Sequence, residues 1–501
     1  MQRSGESRLR FNLRRLWGFV RVLLKNRMST AGLILLIISA GMVLSAFVFY
    51  PTNPQQVIVG GSNVPPQWMS NFPEGYYLSR NMVVANDQGF KLPSGLQEWT
   101  YHYDPAAQPY LSIAWSPVSQ SPTEGSILVR SISSSSLTMS IEKTFFYPYR
   151  GPPQSFVDEG FQVQTHGSNM TRPLQVELFI QRGNDRVYPL WNNSEAVGLN
   201  DIWTSPSYPV DSDQPALATL TSSRTPAQLT FAQDVFSQTT NYTLGVSVTF
   251  PASKCTSINP CSVNITNLGL KLYGTSYGLL GTDFYGLDLF GQLLWGAKVS
   301  LFVGLVAASI GIFLGLVVGL IAGYKTGVVD ESLMRFTDAM LVLPGLPLLL
   351  VLVSVLGPSL LNIIILIGFL GWMGFARVIR SQVLSLKERP FIEAARASGA
   401  GTGRILTTHI FPNVVSLTYV NLALAVPGAI LTEAALSFLG LGDPQTISWG
   451  QILDRANELG ASSIWWWEVP PGLAIALVSL SFVLVGYALD EIFNPKLRKR
   501  R

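Results

Sequence analysis

Residues 31–50 (AGLILLIISAGMVLSAFVFY) pass without a single charge. At about 1.5 Å per residue, a helix of that length covers the roughly 30 Å hydrocarbon core of a bilayer. The pattern predicts a first transmembrane helix there, and apolar stretches near 293–323, 336–357, 360–379, 414–437 and 469–489 predict five more. Between 51 and about 280 the period changes. Runs such as LQVELFIQ (174–181), YTLGVSVTF (242–250) and VNITNLGLKLY (263–273) alternate in part, carry β-branched residues and are separated by Pro, Gly, Ser and Asn clusters, which reads as strands and turns. This block is too long for a loop and large enough for its own core. The expected architecture is an α-helical polytopic membrane protein of six transmembrane helices with an inserted β-rich domain, best described as an antiparallel β-sandwich.

The apolar stretches are interrupted in places. Gly311, Gly315, Gly319 and Gly323 recur every fourth residue and line up one small-residue face for close helix approach; ordinary packing within the chain explains them as well as any functional role. Pro344 and Pro347, and Pro427 with Gly428, interrupt two predicted spans, either as plain kinks or where freed backbone groups meet a transported molecule. Asp338 and Glu433 are acidic residues within the spans, so each is a pathway candidate or the acceptor of a structural hydrogen bond.

Composition supports the membrane reading. Hydrophobic residues make up 48% and charged residues 13% of the 501, with a mean hydropathy of +0.31, which excludes a soluble enzyme or a disordered chain. The net charge of +4 hides a split: residues 51–290 carry 17 acidic and 11 basic side chains, the remainder 13 and 23. Arg3, Arg8, Arg10, Arg14, Arg15, Arg21, Lys25 and Arg27 precede the first span against Glu6 alone. Basic residues also fill the Arg377–Pro412 loop and the tail from Lys496 to Arg501. The positive-inside bias puts both termini in the cytoplasm of a plasma-membrane protein and residues 51–280 outside it. A cleaved signal peptide fits less well, because the first apolar run is too long and no small-x-small site follows before Pro51.

The outer block holds four candidate N-glycosylation sites, at Asn169, Asn192, Asn241 and Asn264, and the only cysteines, Cys255 and Cys261. An oxidising compartment would permit a disulfide between them. Three scattered histidines (His102, His166, His409) give no support to a metal site, and nothing calls for nucleic acid. Lys325-Thr326 after Gly319–Gly323 is no phosphate-binding loop, since Tyr324 intervenes and a membrane helix precedes it.

The most informative stretch runs from Lys387 to Asn413 and includes Glu393-Ala394-Ala395, Gly399 and Pro412. Small residues favouring helix, glycines permitting a bend and Pro412 stopping a second helix predict two short helices around a turn. This arrangement resembles the EAA loop of ABC importer permeases, in the version of the dipeptide/oligopeptide family. The segment Gly281-Thr282-Asp283-Phe-Tyr-Gly286-Leu-Asp288 is similar to that family's GTD-x-x-G-R-D, with Leu287 in place of Arg. Leu436-Ser-Phe-Leu-Gly-Leu-Gly442, Ser448-Trp449-Gly450, Pro471-Gly472 and Asn494-Pro495-Lys496 resemble its closing portion, while Phe411 stands for the usual Leu.

The resemblance covers the first span and residues 281–498. It implies an ABC importer permease fold divided as follows: basic N-terminus 1–30, first helix 31–50, extracytoplasmic β-rich domain 51–280, five-helix transmembrane domain 281–492 with a coupling loop at 386–413, and cytoplasmic tail 493–501. It also implies partners: a second related permease, two ATP-binding subunits that use ATP and Mg, and an external solute-binding protein. This chain itself would be no enzyme and would bind no cofactor. Peptides are the implied solute and oligosaccharides the alternative, because the final strands of the insert resemble jelly-roll carbohydrate-binding modules. A surface glycoprotein or adhesin anchored by helices would leave five spans and the EAA-like loop unexplained. A membrane-embedded enzyme lacks paired membrane carboxylates, Ser/His and HExxH arrangements.

Overall fold

The computed structural model describes residues 27–121, 123–158, 160–166, 174–192, 201–206, 210–213, 230–252, 255–258, 260–461 and 463–493. The chain divides into two compact units: one joins the residues up to Val57 with those from Leu289 onward, and the other is Ile58–Asp288.

The first unit is helical. α1 (Arg27–Phe49) and α2 (Leu289–Lys325) are followed by α3 (Val328–Val342), α4 (Gly345–Leu356), α5 (Leu360–Leu370), α6 (Met373–Lys387), α7 (Pro390–Ala397), α8 (Phe411–Leu436), α9 (Trp449–Glu458) and α10 (Trp465–Phe493). Five helical stretches are long and apolar enough to cross a membrane, and a sixth results if α3 and α4, bent by 87° to one another, are taken as one. The run expected as a single helix over 336–357 is therefore broken. Leu343 takes an extended conformation before Pro344, as the proline ring requires of its predecessor. Pro347 falls in the first turn of α4, where its missing N–H costs nothing.

Pro412 does not stop a helix as expected. The chain stays helical from Thr402 to Leu441, passing through a π-turn at Ile405–Ile410 in which the Phe411 N–H reaches back five residues to the Leu406 carbonyl. The widened turn just before the proline accommodates its ring and its missing donor. Pro427 likewise sits inside continuous α8.

α2 is the axis of this unit, and its glycine stripe is where α5 and α6 approach. A Cβ on Gly315 would lie 2.6 Å from the Trp372 carbonyl oxygen, one on Gly319 2.6 Å from that of Ala376, and one on Gly323 2.7 Å from Val383 Cβ. On other faces of α2, Gly304 receives Ile430 of α8 and Gly296 receives the Trp449 ring of α9. α1 is tied to the start of α2 by the Trp295 indole N–H, which donates to the Tyr50 carbonyl at 3.1 Å.

The second unit is β-rich, and among the described residues its strands pair antiparallel throughout. Numbered along the chain, its strands form a five-stranded sheet β2 (Thr100–Tyr103), β5 (Leu137–Phe146), β12 (Asn241–Phe250), β8 (Gln175–Arg182), β9 (Arg186–Asn192). A second five-stranded sheet orders β10 (Trp203–Thr204), β7 (Gln162–His166), β13 (Cys261–Thr266), β4 (Ser126–Ser131), β3 (Leu111–Ser116), and a smaller one orders β1 (Met82–Val83), β14 (Lys271–Tyr273), β6 (Ser155–Asp158), β11 (Val210–Asp211). Alternate residues Tyr242, Leu244, Val246, Val248 and Phe250 of the central strand join Ile127, Val129, Val163, Val263 and Ile265 of the second sheet in one buried core. Period-two alternation places these side chains on the inner faces. Cys255 and Cys261 are joined by a disulfide.

Because the stripe on α2 meets backbone rather than flexible side chains, Gly319→Ala should lower the midpoint of thermal unfolding in detergent, at a cost of about 1–3 kcal/mol for overpacking. Gly374→Ala, on α6 but facing open space, should leave the midpoint unchanged or slightly raised; equal losses in both variants would contradict the packing role.

Candidate functional site

The loop between α6 and α8 folds into a protruding knob whose underside is anchored by apolar residues. Ile392, Ile405 and Ile410 are buried with Val383 and Ile379 of α6, Leu316 of α2 and Val414 of α8. α7 begins with Pro390 in its first turn, where φ is preset and no donor is lost, and Glu393 follows in the same turn, favourably placed toward the positive end of the helix. The helix ends where Gly399 adopts φ +81°. There the Gly399 N–H donates to the Arg396 carbonyl at 3.0 Å and the Ala400 N–H to that of Ala395 at 3.1 Å, which closes a Schellman turn. Glu393, Ala394, Ala397 and Gly399 are exposed and Ala395 is half-buried. A Cβ on Gly399 would meet nothing within 4 Å, so only its backbone angle requires glycine. The outer surface is thus a small-residue ledge with Glu393 and Arg396 beside it. Pro412 is exposed at the start of α8.

Behind the knob, α6 is joined to α3 by two ion pairs. The Arg380 guanidinium grips Asp330 in a fork, Nε to Oδ1 at 2.5 Å and Nη2 to Oδ2 at 2.7 Å. Asp330 is largely buried, which makes this the stronger pair. Asp338 pairs with Arg377, both half-exposed, a contact of little energy by itself. Between them the Phe336 ring stacks on Trp372 at 6.3 Å. Asp338 is therefore held in a helix–helix contact.

A cavity of about 380 Å³ lies within the helical unit, lined among others by Ala307, Gly311, Gly345, Gly371, Gly428 and Thr432. Its wall is mostly backbone and small side chains, and it includes the first turn of α4 just past the break at Pro344. Neither Asp338 nor Glu433 belongs to its lining.

Past α8 the residues Ser437–Gly450 form a tight knot. After a π-turn at Ser437–Leu441 containing Gly440 at φ +77°, the chain turns back into α9. Asp443 Oδ2 accepts from the Leu360 N–H at the start of α5, and its carbonyl accepts from the Gln451 amide. The Trp449 indole donates to the Leu293 carbonyl at 2.9 Å, and its backbone N–H donates to Ser300 Oγ at 3.2 Å, both on α2. A Cβ on Gly450 would sit 2.6 Å from Ala434 Cα. The roles of Trp449, Asp443 and Gln451 were not legible beforehand, although the Ser-Trp-Gly motif marked the place.

The Gly281–Asp288 segment lies in the β-rich unit, clasped to residues 58–67. Thr282 Oγ1 donates to the Gly61 carbonyl at 2.5 Å and accepts from the Val64 N–H at 3.1 Å. Asp283 Oδ1 accepts the N–H groups of Tyr285 and Leu287, each at 2.9 Å, which closes the turn on itself. Gly286, at φ +76°, takes the Val59 N–H on its carbonyl, and bridges pair Ile58 with Leu287 and Thr282 with Asp288. Gly281, at φ +72°, leaves no space for a side chain, since a Cβ would come within 2.1 Å of the Val64 carbonyl oxygen.

Among the candidate glycosylation sites, Asn192 and Asn241 are exposed. Asn264 is mid-strand with its amide donating to Gln164 Oε1 at 3.2 Å, so its nitrogen is already engaged. Asn169 lies outside the described residues.

Comparison with known proteins centres on the helical unit. The profile of the family described as binding-protein-dependent transport system inner membrane component matches residues 315–499. The dipeptide transport system permease protein DppC of Bacillus subtilis is 38% identical over 220 residues, which is 44% of this chain and 69% of that protein. The oligopeptide transport system permease protein OppC of the same organism is 39% identical over 222 residues, covering 44% and 72%. Its counterpart OppC from Haemophilus influenzae is 38% identical over 224 residues, covering 44% and 71%. Among solved structures, TmCBM61 in complex with β-1,4-galactotriose matches 38% of this chain and 98% of its own length, at 12% identity and a TM-score of 0.22, a likeness too slight to carry a functional reading. A helical membrane unit with the knob, the knot and these relatives is that of an ABC transporter permease, a non-enzymatic subunit, and the chain belongs to the dipeptide/oligopeptide importer permease family.

Proposed function

We propose that this chain forms half of the translocation pathway of an ATP-driven importer of peptides, and that the knob around Glu393, Ala394, Ala395 and Gly399 is where an ATPase subunit drives it. The observation that carries the proposal is the knob itself: a rigid, exposed ledge of small residues mounted on the apolar base shared by α2, α6 and α8. Small side chains let a partner's groove approach the backbone closely. The buried isoleucines beneath pass any push on the ledge directly into the membrane helices.

In this reading the chain has six spans, with α3 and α4 as one broken span. The basic residues of the Arg377–Pro412 loop hold the knob in the cytoplasm, and residues 51–280 lie outside. The cavity at Gly345, Gly371 and Gly428 is then part of the solute path, where the α3–α4 break exposes backbone groups of a discontinuous helix to a solute. A wall of glycine and alanine backed by leucine and isoleucine makes few demands on side-chain polarity, which suits peptides of varied side chains that share only their backbone. The names of the relatives point to the same solute class. A second related permease, two ATP-binding subunits hydrolysing Mg-ATP and an external binding protein complete the assembly.

Two knob variants separate docking from folding. Glu393 is exposed, so Glu393→Lys should keep the thermal midpoint of the complex while solute-stimulated ATP hydrolysis in proteoliposomes falls at least about tenfold, the effect of losing 1.4 kcal/mol or more of interface energy. Gly399→Val should cost about 1–2 kcal/mol locally because its left-handed angle disfavours a side chain, with the same loss of stimulation. Normal stimulation in both variants would exclude the knob as the coupling element.

The β-rich insert acts in this scheme as a capture module. Replacing residues 68–275 by a short linker retains the clasp between 58–67 and 277–288. It should leave assembly and basal ATPase activity intact while uptake falls at low solute concentration and recovers at saturation. Radiolabelled peptide uptake across a concentration series measures this, and unchanged uptake throughout would remove the insert from transport.

A further inference from the structure

Glu433 of α8 is 2% exposed. Its Oε1 accepts from the Ser437 hydroxyl one turn on, at 2.8 Å, whereas Oε2 has no hydrogen-bond partner of proper geometry among the described residues. The hydroxyls of Ser448 and Ser300 also face the carboxylate. Each of these two serines already accepts a backbone N–H on its oxygen, from Gln451 to Ser448 and from Trp449 to Ser300. Their hydroxyl protons therefore remain to be given, and a hydroxyl turned toward Glu433 would relay the first N–H groups of α9 to it.

A buried carboxyl group tied to its neighbours by one direct hydrogen bond is a costly way to hold helices together, and apolar residues of similar volume do so better. Its position suits a contact that is made and unmade. Glu433 stands where α2 (Ser300), α8 (Ser437) and α9 (Ser448) meet, and from Ser437 the chain runs through Gly442 to Asp443, which caps the N-terminus of α5. α5 in turn supplies the cavity wall at Ile367 and Leu370. A shift of the knot relative to α8 thus reaches the cavity through one short covalent and hydrogen-bonded path.

We propose that Glu433 is a positioning residue of the transport cycle: its carboxyl group latches the N-terminus of α9 and the 442–448 turn onto α8 and α2, and so keeps the outer end of the cavity shut until solute is delivered. The proposal rests on the permease reading above, which puts the knot on the outer side.

The two native cysteines are joined to each other, so a single introduced cysteine supplies the reactive thiol. Thr432 lines the cavity, and cysteine there is slightly smaller, so it fits without strain. In the assembled transporter, in right-side-out vesicles, Thr432→Cys should react slowly with a membrane-impermeant maleimide. Adding Glu433→Gln, which keeps the shape but replaces one acceptor oxygen by an NH2 that cannot receive a serine hydroxyl, should raise that rate about tenfold, the effect of losing about one buried hydrogen bond. Glu433→Asp should restore the slow rate in part.

A merely structural role would instead loosen the whole bundle. Ala322→Cys, fully buried on α2, reports this when probed with a membrane-permeant maleimide and should stay unreactive in the Glu433→Gln background. If it reacts, the same comparison is made with Ser437→Ala, which removes the one direct hydrogen bond and keeps the carboxylate. An unchanged labelling rate of the Thr432→Cys thiol in whichever of the two backgrounds retains its fold overturns the latch. Acceleration seen only in inverted vesicles supports the latch and overturns the outward placement of the knot.

Discussion

The helical unit depends on the absence of side chains along one face of α2. In a bilayer, lipid tails are as apolar as leucine, so helices gain little from hydrophobic contact and associate through close van der Waals packing. Gly311, Gly315, Gly319 and Gly323 let the backbone of α5 and α6 reach the α2 surface itself, with carbonyl oxygens where methyl groups would otherwise stand. Gly304 and Gly296 do the same toward α8 and α9. One helix of 37 residues thereby holds both neighbours that run to the knob, α6 and α8, and the short helix that closes the knot.

That packing turns the cytoplasm-facing loop of the proposed topology into a lever. The knob has no core of its own beyond Ile392, Ile405 and Ile410, and these residues share a cluster with α2, α6 and α8. It is therefore bound to move with the helices beneath it. The forked Arg380–Asp330 pair links α6 to α3, and the bend at Pro344 lies at the far end of α3. The helix that enters the cavity wall is so connected to the helix that bears the knob by a pair which, being largely buried, resists solvent and salt.

Much of this was legible in the sequence. The membrane helices announced themselves by apolar length and the strands by alternation, because both patterns are set locally. The knob was readable from Glu393-Ala394-Ala395 and Gly399, since small helix-favouring residues followed by a glycine that permits a bend predict a short helix and a turn. Proline was the poorest guide. Pro344 breaks its span, Pro412 follows a π-turn without stopping the helix, and Pro427 is absorbed in α8. The three differ in whether neighbouring backbone can re-register its hydrogen bonds, which is a property of tertiary packing. For the same reason Asp338 and Glu433 looked alike as lone acids in apolar sequence. Ser437, one turn on from Glu433, is within reach of spacing, but Arg377 on α6, and Ser300 and Ser448 on α2 and ahead of α9, are brought in by the fold.

The Gly281–Asp288 segment explains why so large a domain is tolerated between the first two spans. By sequence it resembles the importer family, yet by structure it closes the base of the β-rich unit. Thr282 and Gly286 bind the chain at 58–64 by hydrogen bonds to and from its backbone, and Gly281 makes room for the Val64 carbonyl. Incoming and outgoing strands thus leave the unit side by side at the Ile58–Leu287 bridge. An insertion whose ends are already paired adds a closed loop without rerouting the chain that carries it, and the entropy of closing a loop rises only slowly with its length. The insert then bears the cost of its own order through its own core.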